Sequence, residues 1–317
     1  MAHRFLYVVC GVLFFSPVHV WGDVAADGGF TRKEDVIYGR KYGSALTLDV
    51  ITPAKPTGVG IFWMVSGGWF SDHKGINPDF VKELLKRGYT VFAVVHGSQP
   101  KYTIPEILDD IHRAVRFVRH NAKEYGVDPT RLGITGASAG GHLSLMQGTA
   151  GKEGDPNAKD PVDKESSRIQ AVACFFPPTD FLNYGKPGED AIGRGILKDF
   201  HAPFDFHEYD PTTKSLIPIT KEDRILELGK SVSPITHVTP DDAPTLIIHG
   251  DADKLVPIQQ AELMVEKLKK AGIPAKLVTK PGASHGWPNM AEDMVLIADW
   301  FDEHLAAKKP SASQGSK

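Results

Sequence analysis

Residues 131–145 read RLGITGASAGGHLSL, the segment that narrows the choice of architecture most sharply. Apolar residues lead into Gly136-Ala137-Ser138-Ala139-Gly140, and helix-compatible residues follow. A Gly-x-Ser-x-Gly pentapeptide between strand and helix is a nucleophile elbow, a strained turn that holds a serine hydroxyl clear of the backbone. Glycines at its ends remove the Cβ atoms that would keep strand and helix apart. Small residues gather in many loops, so the pentapeptide alone says little. The strand and helix patterns around it make Ser138 a candidate nucleophile.

A serine at its ordinary pKa needs a base, and the base needs an acid to orient it. Residues 246–257, LIIHGDADKLVP, place two carboxylates, Asp251 and Asp253, in a turn after a strand. Residues 281–287, PGASHGW, place His285 in a glycine-bounded loop after the next strand. Serine, acid, histidine is the chain order of α/β-hydrolases. The first gap has room for a strand and an inserted segment, the second for one helix and one strand. Acyl transfer also needs N–H donors for the developing oxyanion. One follows the nucleophile, here Ala139, and another comes from a glycine-rich loop after an early strand. Residues 65–70, VSGGWF, form that loop, with Gly67, Gly68 and Trp69 as candidates. Whether the Gly68 or the Trp69 N–H points inward is open.

Apolar, β-branched runs at 60–65, 90–95, 131–135, 171–176, 245–248 and 275–279 read as strands. Ile107, Ile111, Ala114, Val115 and Val118 recur at helical spacing, as do Ala261, Met264, Val265 and Leu268. Met290, Met294, Ile297, Phe301 and Leu305 mark a last helix. This alternation predicts an α/β fold, a mostly parallel central sheet with helices on both faces. Segments 36–40 and 45–51 fit an antiparallel hairpin opening the sheet. One domain is expected over 34–306. Residues 183–239, rich in Gly, Pro, Asp and Lys, break the rhythm and read as a lid insertion carrying Phe200, Phe204, Phe206 and Tyr209. The polar tail 307–317 is expected to be disordered.

The 317 residues carry 41% hydrophobic side chains and a net charge of −3, which excludes collagenous, coiled-coil and wholly disordered classes and gives no basic excess for nucleic acid. Arg4 followed by the apolar run FLYVVCGVLFF at 5–15, with small residues at Gly22, Ala25 and Ala26, reads as an export signal at 1–22, cleaved after Gly22 or as late as Ala26. Pro17 and His19 make the run too short to anchor the chain in a membrane. The mature chain is then expected to be secreted or periplasmic, with no stable membrane insertion. Cys174 would be its one thiol, a buried small hydrophobe in a strand. His201, His207, Glu208 and Asp210 match no metal-ligand spacing, so no metal or cofactor is expected.

Taken with Ser233-Pro234-Ile235, the segments GASAGGHLSL, HGDADKLVP and GASHGW resemble the esterase/lipase branch of the α/β-hydrolase fold. The sequence is similar to bacterial feruloyl and acetylxylan esterase-like proteins and, more distantly, to the prolyl oligopeptidase catalytic domain. The resemblance covers about 43–305. It implies that the acid is the second Asp of a His-Gly-x-x-Asp motif, Asp253, with Asp251 shaping the turn and His142 and His249 structural. The family loop resembles His-Gly-Gly-x-Trp, and this chain departs from it. Matching the glycines puts Ser66 at the His position; matching Trp69 puts Val65 there. His96-Gly97 also stands where the family often has Tyr-Arg. The implied activity is hydrolysis of carboxylic esters by Ser138, Asp253 and His285, with small-molecule or saccharide esters as substrates. Trp69, Phe70 and Trp287 are candidates for lining a pocket or for the core. Two other readings share the scaffold, a prolyl oligopeptidase-like exopeptidase and a catalytically silent binding protein.

Overall fold

The computed structural model describes residues 24–26 and 29–307. The expected export signal at 1–22 and nearly all of the 307–317 tail lie outside the described residues. In chain order the strands are β1 (Val24–Ala26), β2 (Phe30–Lys41), β3 (Ser44–Pro53), β4 (Gly60–Met64), β5 (Thr90–Val95), β6 (Leu132–Ala137), β7 (Ala171–Phe175), β8 (His207–Asp210), β9 (Ser215–Pro218), β10 (Thr245–Gly250) and β11 (Ala275–Lys280). The α-helices are α1 (Lys82–Lys86), α2 (Ile104–His120), α3 (Ala139–Thr149), α4 (Glu222–Ser231), α5 (Gln259–Lys270) and α6 (Met294–His304).

Nine strands make one sheet in the order β1-β2-β3-β5-β4-β6-β7-β10-β11. From β5 to β11 every neighbouring pair is parallel, and the β1–β2, β2–β3 and β3–β5 pairs are antiparallel. The central strands are buried on both faces, so they read as continuous apolar runs. Alternation then sends side chains to opposite sides. Phe62 and Met64 of β4 join the cluster built from α2, α3 and α5; Ile61 and Trp63 join the one built from α1 and α6. Helix α2 begins where the Thr103 N–H donates to the Glu106 carboxylate at 2.8 Å, and it buries Ile107, Ile111, Ala114, Val115 and Val118 against the sheet.

Parallel strands bring the C-terminal ends of β4, β6, β7, β10 and β11 to one rim, the edge where open α/β sheets place their sites. Residues 183–239 fold as short helical turns, the exposed β8–β9 hairpin and α4. Phe204 and Phe206 of this insertion are buried, whereas Tyr209 is exposed.

The β2–β3 hairpin is held by an internal charge. Asp49 is fully buried and receives Arg32 Nε at 2.8 Å and the Asp35 N–H at 3.0 Å. Removing the part-exposed Arg32 leaves the buried Asp49 carboxylate with the Asp35 N–H and the His73 ring 3.7 Å away, so Arg32→Ala is expected to cost about 1–3 kcal/mol of unfolding free energy. Lys33→Ala, which breaks the exposed 3.2 Å pair with Glu124, should cost less than about 1 kcal/mol. Urea titrations of the two variants check the contrast.

Candidate active site

Strand β6 delivers the chain to Ser138, which sits at φ 54°, ψ −119° before α3 begins. A non-glycine residue there is strained and persists only where its surroundings over-determine it. Here they do. A Cβ on Gly136 would lie 2.5 Å from the Gly140 carbonyl, and one on Gly140 would lie 2.7 Å from Met64 O. The Ser138 N–H donates to Phe175 O at 3.0 Å, and Ser138 O accepts from the His142 N–H at 2.9 Å.

Ser138 Oγ is 2.9 Å from His285 Nε2, and His285 Nδ1 is 2.7 Å from Asp253 Oδ2. An ionised carboxylate only accepts, so Nδ1 carries the proton and Nε2 presents its lone pair to the serine hydroxyl. Asp253 is buried, and its Oδ1 accepts the Leu255 and Val256 N–H groups, each at 2.9 Å. Burial alone would raise the Asp253 pKa. The His249 ring 3.4 Å away and hydrogen bonds from His285 and the Val256 N–H outweigh it and hold the carboxyl well below the usual range. Asp251 is exposed and accepts the Gly282 N–H at 2.6 Å, so it shapes the loop before His285. Gly250 lets that loop close in, since a Cβ there would lie 2.2 Å from Ala283 O.

The loop after β4 is a two-residue turn. Gly67 and Phe70 exchange backbone hydrogen bonds of 3.0 and 2.9 Å, and Gly68 and Trp69 between them have φ of +55° and +60°. That matches a type I′ hairpin turn. It corrects one expectation: the Gly67 N–H is committed to Phe70 O and is no free oxyanion donor. Among the described residues, the Gly68, Trp69 and Ala139 N–H groups donate to no protein acceptor. Trp69 belongs to the core, 2% exposed, with Nε1 donating to His142 Nδ1 at 3.1 Å and Phe204 edge-on at 5.4 Å. His142 Nε2 in turn donates to Val232 O at 2.7 Å, and burial pulls its pKa down to about 4. One neutral imidazole thereby ties α3, the turn and the end of the insertion together. Phe200 covers Gly68 from the insertion: a Cβ there would lie 2.6 Å from its ring. Phe70 is half-exposed and lines a cavity of about 600 Å³ beside Ser66, Phe80 and Ala137.

Phe176, beside His285, and Asp293, behind Trp287, carry no signal in the sequence. Phe176, at φ 34°, lays its ring 4.5 Å from the imidazole centroid. Trp287 packs on Phe176 at 5.7 Å and donates through Nε1 to Asp293 at 2.7 Å, whose other oxygen takes Lys280 Nζ at 2.9 Å. An aromatic at a strand end and a lone Asp before a helix carry no motif that would have flagged them.

A strained serine on a strand–helix elbow, at the rim of a mostly parallel sheet and bonded through histidine to aspartate, defines an α/β-hydrolase. The chain belongs to the BD-FAE family, whose model matches residues 48–268; the dienelactone hydrolase family model also matches 229–313. It is 28% identical to the probable carboxylic ester hydrolase LipM of Mycobacterium tuberculosis over 94% of its own length. The chain spans 66% of LipM and 60% of the related esterase LipC from the same organism. A truncated carbohydrate esterase from gut microbiota superposes with a TM-score of 0.70 at 26% identity, covering 89% of this chain and 99% of that one. The Est2 esterase of Thermogutta terrifontis superposes at 0.64 with 25% identity, covering 90% and 95%.

The elbow itself is testable. Gly136→Ala should lower stability by about 1–3 kcal/mol, because backbone must move to admit the methyl group. A thermal melt beside wild type measures it.

Proposed function

We propose that the protein is a serine esterase that hydrolyses carboxylic esters through an acyl-enzyme. The unbroken hydrogen-bonded series Ser138–His285–Asp253 on a strained elbow carries this reading. Ser138 Oγ attacks the ester carbonyl carbon while His285 Nε2 takes its proton. Asp253 holds the imidazole's tautomer and stabilises the imidazolium. The carbonyl oxygen, now negative, is received by the Ala139 N–H and by the Gly68 or Trp69 N–H, donors that need no reorganisation. Collapse of the tetrahedral intermediate expels the alcohol, which leaves with the proton from His285. Water, deprotonated by the same nitrogen, then attacks the acyl-serine and returns Ser138.

Acylated saccharide fragments are the substrate class we favour. Likeness to a protein described as a carbohydrate esterase supports this, as does the export signal read at 1–22. With that signal we also propose that the mature chain acts outside the cytoplasm. The discriminating experiment is a chromogenic panel from acetyl to long acyl and feruloyl esters, run beside peptide anilides. Turnover of short esters with inert anilides is expected, and the reverse pattern would overturn the reading in favour of a peptidase.

Ser138→Ala should lower ester turnover by several orders of magnitude while leaving the thermal melt near that of wild type. A fluorophosphonate probe should label Ser138 and no other serine, as mass spectrometry of the labelled peptide would show. Asp253→Asn should reduce kcat by about 10⁴, because it imposes the wrong imidazole tautomer, whereas Asp251→Asn should cost far less. Steady-state rates for the two variants rank the carboxylates.

A further inference from the structure

Beside the oxyanion turn lies a second serine–histidine pair that the proposed chemistry does not use. Ser66 Oγ is 2.8 Å from Nε2 of His96, the residue that follows β5. His96 is buried, and its Nδ1 lies 2.8 Å from Gly97 O. A carbonyl only accepts, so Nδ1 carries the ring proton. Burial draws the imidazole pKa down to about 4, so at neutral pH Nε2 has only a lone pair. The Ser66 hydroxyl must therefore donate to it.

The pair is braced on every side. The Gly97 N–H donates to Asp110 Oδ2 at 2.9 Å, and Lys41 Nζ holds both Asp110 oxygens at 2.7 and 2.8 Å. The His96 N–H donates to Ser71 Oγ at 3.2 Å, and the Ser71 hydroxyl donates to Val65 O at 2.6 Å. Both backbone approaches to the pair are pinned. Rotating the imidazole to offer a proton to Ser66 would break the bond to Gly97.

Ser66 is half-buried and lines the 600 Å³ cavity together with Phe70 and Ala137, the residue before Ser138. Met64 and Gly136 are register partners on β4 and β6, and Ser66 and Ser138 each stand two residues further on. The chain segments that carry the two serines therefore leave neighbouring strands at the same rim of the sheet. Ser66 O also lies 3.3 Å from the place a Cβ on Gly140 would occupy. A serine oxygen has one proton and two lone pairs. Ser66 has committed its proton and, among the described residues, accepts from no protein donor.

We propose that Ser66 is a specificity-determining residue whose oxygen accepts a hydrogen bond from a free hydroxyl on the alcohol portion of the substrate. Esters of polyols or saccharides with a neighbouring hydroxyl are then preferred over esters of simple alcohols. A substrate offering only an ether or carbonyl oxygen at that place gains nothing, because Ser66 has no proton to give. The half-exposed Phe70 ring offers the same alcohol an apolar face. This inference rests on the ester-hydrolase reading and narrows it to a class of alcohols.

Three ring esters isolate the contact: trans-2-hydroxycyclohexyl acetate, its 2-methoxy analogue and cyclohexyl acetate, with p-nitrophenyl acetate reporting hydrolysis as such. Wild type should show kcat/KM about tenfold higher for the hydroxylated ester than for the other two, the worth of one hydrogen bond. Ser66→Ala should bring the three within about threefold, chiefly by raising KM for the hydroxylated ester. Ser66→Thr, which keeps the hydroxyl, should retain the preference. A residue that merely satisfied His96 would lower the melting temperature without moving this ratio. Equal rates on all three in wild type, with p-nitrophenyl acetate still cleaved, would overturn the inference alone, as would a preference that survives Ser66→Ala. Failure to cleave any of the four would overturn the esterase reading and this inference with it.

Discussion

Between β6 and α3 two backbone segments approach more closely than a single methyl group allows, and the rest of the site is arranged around that approach. Gly136 and Gly140 make it sterically possible, and the hydrogen bond from the Ser138 N–H to Phe175 O ties it to the next strand. The strain at Ser138 is local, but what holds it is not. Sheet register fixes β6 between β4 and β7, and α3 is buried along most of its length. The serine hydroxyl is thereby directed from a rigid frame, and the histidine and aspartate are brought to it on loops.

Those loops are themselves coupled. The Ala252 N–H donates to Ala283 O, so the turn holding Asp253 and the loop holding His285 share a backbone bond across β10 and β11. Phe176 follows β7 and lies against the imidazole, with Trp287 and Asp293 behind it. On the other side the turn after β4 rests on Trp69, which meets His142 of α3 and Phe204 of the insertion. Few of these contacts join residues close in sequence. The site is a product of strand order.

That explains what the sequence disclosed and what it concealed. Local signals exposed the elbow, the strand runs and the helical faces of α2 and α5, because each is a periodicity or a turn complete within about twenty residues. His285 and the two carboxylates were visible because short glycine-containing turns frame them. The identity of the acid rested on resemblance, since nothing in DADKLVP says which carboxylate turns inward. The commitment of the Gly67 N–H to Phe70 was hidden, for it depends on two successive left-handed residues, one of them a tryptophan. His96 and Ser66 are separated by a helix and a strand, so no spacing rule links them. The β8–β9 hairpin was missed for a different reason: its strands are four residues each and exposed, with no buried face to impose alternation.

The buried imidazoles carry a cost that appears only away from neutral pH. His142 accepts the Trp69 indole proton on one nitrogen, a geometry that a protonated ring cannot keep, and His96 stands in the same position toward Ser66. Both have pKa values near 4 in the folded chain, against about 6.5 when unfolded. Below pH 6.5 the unfolded chain therefore binds protons that the folded one refuses, so stability falls with pH across this window and levels off below about 4. Each ring accounts for a loss on the order of 3 kcal/mol. Mild acid thus works on buried imidazoles, His112 with a pKa also near 4 and the two that adjoin the turn after β4, while Asp253, with its lowered pKa, stays ionised.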